Sequence, residues 1–353
     1  MNTTPILYIL HEHGELSHFY AADLCTRRHG YAVCYREFNY RTQVKSIAVA
    51  WNKGKLRHVV ANMLFPMQLL FGKRRKVVIG IAPFNRWLPV WSWILRRHEA
   101  YYFTSYTCWN GTKAVYNAHP SDTLIRIWRN FIGNRAKAVF AVSSKTKEEL
   151  VRNGFVTEEK VIVVHHSHKE PPAPAEAVCK RNRFIYVGRM VPEKGIGELL
   201  DIFGRRPEAL FTVVGSGSEA AEVSCKSEIC ANIVYAGYIA DRVYLSELYR
   251  EHCFLVLNSH RTAGWEELFG IAIIEAMSNG VVPLATDHTG PCEIITNEEN
   301  GLLCPEGEIE VLIDRAMRMD EAKYRLLRHN AIRTAQEYRC EQVAARWNRL
   351  FED

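Results

Sequence analysis

Residues 184–200 read FIYVGRMVPEKGIGELL. Four apolar residues run straight into a glycine, a short loop carries Arg189 and Lys194, and Gly195 leads into a stretch with helical spacing. An unbroken apolar run marks a strand in a parallel sheet covered on both faces, and strand–loop–helix is the unit from which such sheets are wound. Open α/β sheets bind ligands at the carboxyl ends of their strands. Two cations there suit a diphosphate, the arginine through its planar fork and the lysine as a point charge. Taken alone, the loop fits two solvated charges equally well.

The same rhythm extends in both directions. Apolar runs at 6–10, 31–38, 77–82, 100–104, 138–142 and 161–165 precede this strand, and runs at 210–214, 233–236, 254–258 and 281–285 follow it. Helix-length segments separate them, which predicts an α/β protein with doubly wound parallel sheets. The 353 residues exceed one ordinary core. A proline-rich stretch, PPAPAEAVCKR from Pro171, reads as the linker. The expected division is residues 1–170 as the first domain, 171–182 as linker and 183–337 as the second domain. A terminal amphipathic helix over 338–353, with Val343, Trp347 and Leu350 on one side, is expected to return to the first domain.

Composition narrows the classes. A net charge of +6 tolerates acidic partners without calling for nucleic acid. Ten cysteines without a CxxC pair read as reduced thiols in a cytosol. The first strand lacks the basic flank of a signal peptide, and no apolar run is long enough to span a bilayer. A cytoplasmic protein is expected, either soluble or peripheral on the inner membrane face.

The stretch WEELFGIAIIEAM, from Trp265, supplies two carboxylates. Glu267 stands in a loop before a predicted helix, and Glu275 lies about two turns into it. The Phe269, Gly270 and Ile271 N–H groups fall at the helix mouth, where unpaired donors and the helix dipole hold phosphate. A phosphate between two hydroxyl-binding acids matches the outline of a sugar nucleotide, although two glutamates eight apart also occur as plain surface acids. Gly188 permits the turn after its strand. In IVYAGYIAD, Tyr238 and Ile239 offer a ring and backbone edge for a nucleobase, or simply a structural turn. VVGSGSE lacks the third glycine of a dinucleotide fingerprint, which argues against a nicotinamide dehydrogenase.

In order, VGRMVPEKG, VVGSGSE, AGYI, EELFGIAIIEAMSNGVVPLAT, TGPCEII and NGLLCP strongly resemble the retaining glycosyltransferases of family 4; AVFAVSSKTKEELVRNGFVTEEKVIVVHH resembles the end of that family's first domain. The resemblance implies the GT-B fold, two Rossmann-like domains facing each other across a cleft. It implies a nucleoside diphosphate sugar donor, UDP- or GDP-linked, with no metal and no other cofactor. Arg189 and Lys194 match the diphosphate-binding pair, Glu267 the donor-sugar carboxylate, Glu275 the ribose contact and Phe269-Gly270-Ile271 the turn at the phosphates. Arg189, Lys194 and Glu267 are therefore the expected catalytic residues. A sugar phosphorylase, an epimerase or a non-catalytic sugar-nucleotide-binding protein of the same fold is the alternative.

The first half departs from the family pattern. HHSHKEP replaces the usual Asn-Gly-Val-Asp, HEHGELSH has one glycine, and YYFTSYTCWNGT lacks the usual histidine, leaving Thr104, Ser105 or Tyr106 for its place. His11, His13, Gly14, Glu15 and Ser105 are candidate cleft or acceptor residues; the histidine spacing fits no familiar metal motif. Residues 53–97 interleave apolar and aromatic side chains with Lys and Arg, with Pro66 expected to interrupt the first helix. That pattern fits an anionic membrane surface, or two core helices with solvated ends. The expected acceptor is a glycan, lipid-linked or destined for lipopolysaccharide, capsule or another cell-surface polysaccharide.

Overall fold

The computed structural model describes residues 4–12, 16–37, 53–110, 120–169, 182–262 and 265–352. It divides into two compact units, Met1–Ser167 with Cys340–Asp353, and His168–Arg339.

The first unit is built on six parallel strands: β1 (Ile6–His11), β2 (Ala32–Glu37), β3 (Lys76–Gly80), β4 (Glu99–Thr104), β5 (Val139–Ala141) and β6 (Val161–Val163). Their order is β2-β1-β3-β4-β5-β6. Leu7, Ile9, Val77 and Val78 are fully buried, as strands covered on both faces require. The chain winds one way to β2 and the other way from β3, so a switch point lies between β1 and β3.

The C-terminal segment belongs to this unit. Helix Cys340–Arg346 continues as a 3-10 turn, Trp347–Leu350. The Trp347 ring stacks on Phe140 at 4.4 Å and on Phe103 at 6.0 Å, and Lys76 Nζ donates to the Leu350 carbonyl at 2.8 Å.

Pro66 does not interrupt its helix, which runs unbroken over Lys53–Phe71. A proline costs one backbone hydrogen bond, about 3 kcal/mol in an isolated helix. Here Phe65 and Leu69, on either side of it, are locked into the core, and packing carries the helix through.

The second unit holds β7 (Arg183–Arg189), β8 (Leu210–Ser216), β9 (Ile233–Gly237), β10 (Phe254–Leu257), β11 (Val282–Thr286) and β12 (Leu302–Cys304). The order is β12-β11-β10-β7-β8-β9, again all parallel. This is the doubly wound 3-2-1-4-5-6 arrangement, with its switch point between β7 and β10. The strands read from the sequence are all present, with ends moved by two residues at most. β12 was not foreseen, because three residues between a turn and a proline carry no periodicity.

Glycines let the carboxyl ends crowd together. At Gly215 (φ +143°) a Cβ would collide with the carbonyl of Gly188 on the neighbouring strand, and at Gly217 with that of Met190. The glycines of VVGSGSE therefore serve close strand–loop packing.

Eight cysteines among the described residues are free thiols.

Candidate active site

The switch point of the second unit assembles the charged residues. The loop after β7 carries Lys194, and Gly195 follows it in the left-handed conformation at φ +59°. A Cβ at Gly195 would collide with the Asn258 carbonyl just beyond β10. The loop after β10 thus lies directly on the loop after β7, and the His260 N–H donates to the Glu193 carbonyl at 2.9 Å.

Lys194 and Glu267 meet in this contact as an ion pair, each side chain only 13% exposed. Lys194 Nζ also lies 5.0 Å from the centroid of the Trp265 ring, whose face favours a cation. Ser259 Oγ donates to the same Glu267 oxygen at 3.5 Å. Seventy-three residues separate the paired charges, and the strand order closes that gap.

His288 holds the Glu267 backbone in place. The Glu267 N–H donates to His288 Nδ1 at 3.0 Å, and His288 Nε2–H donates to the Ser259 carbonyl at 2.8 Å. That pattern needs the neutral ring with its proton on Nε2. Burial, together with nearby Arg261, pushes the imidazole below its ordinary pKa, consistent with that form. The Gly290 N–H donates to the Glu267 carbonyl at 2.8 Å, so both ends of the Glu267 peptide are pinned.

Arg189 ends β7 with its side chain in solvent, and that side chain makes no hydrogen bond or ion pair with another described residue. Its carbonyl accepts from Tyr186 Oη at 2.6 Å. Burial, with Glu267 and Glu219 nearby, raises the Tyr186 pKa and keeps the phenol protonated, while Arg189 opposes the shift. Tyr186 thus lies within the field of both Glu267 and Arg189.

Gly270 (φ +87°) caps helix Ile271–Ser278, a backbone state only glycine adopts without strain. Phe269 is buried against Tyr338 at 5.9 Å. Glu275 faces a different partner from Glu267: its carboxylate pairs with Arg242 at 2.9 Å, at the start of the helix after β9. Burial raises the Glu275 pKa and Arg242 opposes the rise. Gly188 pairs in register with Gly215. Tyr238, 74% exposed, and half-buried Ile239 follow Gly237 beyond β9.

In the first unit His11 ends β1 at the other switch point. Its ring packs edge-on against Phe19 at 5.3 Å and His18 at 5.8 Å, and a Cβ at Gly80 would come within 2.6 Å of it. His18 lies 4.5 Å from buried His166, which burial and then His18 hold well below the ordinary histidine pKa. The Ser105 carbonyl accepts from Thr146 Oγ1 at 3.4 Å. His13, Gly14 and Glu15 lie outside the described residues, as do residues 171–181 of the linker.

Sequence reading missed Trp265, Ser259, His288 and Arg242. Trp265 and His288 stand beside quoted motifs, in WEELFG and DHTGPCEII, but a ring against a cation and a ring under a backbone N–H are visible only in three dimensions. Among the described residues, no group of three or more His, Cys, Asp or Glu could hold a metal ion.

The family model for glycosyl transferases group 1 matches residues 157–338. The chain is 22% identical over 235 residues to the exopolysaccharide phosphotransferase SCO2592 of Streptomyces coelicolor, covering 61% of this chain but only 23% of that protein. It is 21% identical over 246 residues to the O-antigen biosynthesis glycosyltransferase WbnH of Escherichia coli, covering 69% of this chain and 68% of that one. Among solved structures, Anabaena Alr3699/HepE in complex with UDP and glucose superposes with a TM-score of 0.66 at 17% identity, over 97% of each chain. At that identity the likeness shows the fold, which is GT-B. With the family model matched over more than half its length, this chain belongs to the glycosyl transferases group 1 family.

Proposed function

We propose that the enzyme is a retaining glycosyltransferase of the family 4 kind, moving a sugar from a UDP- or GDP-linked donor to a hydroxyl of a lipid-linked or cell-surface glycan. The observation that carries this reading is the Lys194–Glu267 pair at the β7–β10 switch point, with Arg189 at the carboxyl end of β7. In this reading the second unit binds the nucleotide sugar and the first unit binds the acceptor. The UDP and glucose held by HepE support a nucleoside diphosphate sugar as donor. The O-antigen assignment of WbnH supports a polysaccharide acceptor.

The chemistry follows from charge. As the sugar–phosphate bond breaks, negative charge grows on the diphosphate and oxocarbenium character on the sugar. Arg189, Lys194 and the N–H groups at the mouth of helix Ile271–Ser278 offset the phosphate charge, a preorganised electrostatic role. These fixed cations do the work a metal would otherwise do at the diphosphate, so the transfer is read as metal-independent. Lys194 turns from Glu267 to phosphate as the donor enters, and Glu267 is released to accept hydrogen bonds from sugar hydroxyls. The departing phosphate takes the acceptor proton on the face it leaves, so the anomeric configuration is retained without a protein nucleophile. Glu275, oriented by Arg242, accepts from the ribose.

A panel of nucleoside diphosphate sugars, read by thermal shift on the wild type and on Glu267→Ala and Lys194→Ala, tests the donor. The expected result is stabilisation by a UDP- or GDP-sugar that both substitutions weaken. No stabilisation of the wild type by any of them would refute the reading. The anomeric coupling of the product, by NMR, decides retention.

A further inference from the structure

The helix Lys53–Phe71 has two apolar faces. Val59, Phe65 and Leu69 point into the core of the first unit. On the other side, at positions i, i+3, i+4, i+7 and i+11, Val60, Met63, Leu64, Met67 and Phe71 lie in solvent, Phe71 being 80% exposed. A helix on a water-facing surface carries polar residues there. The neighbouring helix Leu88–Ile94 packs against it and adds to the exposure, with Trp87 at 62%, Trp93 at 55%, and Val90 between them. Scattered exposed apolar residues are ordinary; a contiguous set on two packed helices marks an interaction surface.

Charge identifies the occupant. Residues 38–98 contain no Asp or Glu, and residues 53–97 alone hold ten of the 45 Lys and Arg. The rest of the chain is therefore net negative, and the basic excess falls in the segment that carries the apolar face, where Arg57, Lys73, Arg86, Arg96 and Arg97 are exposed. Arg96 lies 4.2 Å from the centroid of the Trp93 ring and donates to the Trp93 carbonyl at 2.9 Å, and Arg97 follows it. An apolar face with tryptophans at its edge and cations around it matches the interface of an anionic bilayer. A second copy of the chain would set one basic rim against another, which disfavours self-association. No described helix is long and apolar enough to cross a membrane, so the contact is peripheral.

We propose that this face, formed by the outer sides of helices Lys53–Phe71 and Leu88–Ile94, seats the enzyme on an anionic lipid bilayer. Met63, Met67, Phe71 and Trp93 enter the acyl boundary while Arg96, Arg97 and Lys73 meet the headgroups. The proposal is independent of the donor reading, because its residues lie in the other unit.

Sedimentation of the full chain with phosphatidylcholine vesicles, with and without phosphatidylglycerol, tests it at low and high salt. The wild type is expected to pellet with the anionic vesicles and to be released by salt. The triple variant Met63→Ser, Met67→Ser, Phe71→Ser is expected to bind more than about a hundredfold more weakly. The pair Arg96→Glu, Arg97→Glu is expected to lose roughly thirtyfold or more. All five positions are exposed, so melting temperatures should stay at the wild-type value, and nucleotide-sugar thermal shifts should be unchanged. A wild type that stays in the supernatant at low salt overturns the proposal. So does a triple variant that binds as well as the wild type, or a solution dimer that the triple variant dissolves without any vesicle binding.

Discussion

Replacing Lys194 with alanine strikes stability and chemistry together, and the two effects can be separated. In the free enzyme the change leaves the Glu267 carboxylate, 13% exposed, without its cation. Ser259 Oγ, at 3.5 Å, remains a weak donor, and the Glu267 N–H is already committed to His288. Stranding one member of a buried pair costs about 3–5 kcal/mol, and the residual exposure puts this case near 3 kcal/mol. For a unit of this size that lowers the melting temperature by roughly 6–12 °C. Removing Glu267 as well leaves no stranded charge, so the double variant Lys194→Ala, Glu267→Ala should recover most of the loss. Catalysis should show no such recovery. Loss of a cation at a developing phosphate charge costs roughly 10²–10³ in kcat, and the double variant should be at least as slow as either single one. Differential scanning calorimetry and steady-state release of the nucleoside diphosphate measure the two quantities. If Lys194→Ala melts with the wild type and turns over within tenfold of it, the pair has neither role.

Three further expectations concern the scaffold. His98, His166, His252 and His288 are each held below the ordinary histidine pKa by burial; the folded chain therefore binds fewer protons than the unfolded one just below pH 6.5, and stability falls on acidification through that window and is fully present above it. A melting temperature that is flat or rises between pH 7.5 and 5.5 would contradict this. Gly215→Ala should abolish soluble folding, since its Cβ meets the Gly188 carbonyl, whereas Gly154→Ala, with nothing within 4 Å, should cost only the positive-φ strain of about 1 kcal/mol; equal expression and melting of the two would refute the close approach. Trp347→Ala should cost about 3–5 kcal/mol by chemical denaturation, because the ring is buried between Phe103 and Phe140.

The sequence by itself determined the elements and the chemistry available to them. Apolar runs such as FIYVG and FLVL read as strands of a parallel sheet because they are too short for a helix, unbroken, and bounded by turn signals. The loop of Arg189 and Lys194 and the glycine at the head of helix Ile271–Ser278 were legible because turns and helix starts are local. The three-residue β12 carried too little pattern to read, and Pro66 misled, because its local cost is met by distant packing at Phe65 and Leu69. Tertiary structure alone decided which charges meet. Parallel strands are joined by crossovers rather than tight turns, so no local signal sets their order. That order makes β7 and β10 neighbours, pairs Lys194 with Glu267 and Glu275 with Arg242, and sets the His288 ring beneath the Glu267 backbone. The exposed face of Lys53–Phe71 belongs to the same class, since an apolar stripe in a sequence does not say which of its sides the core will take.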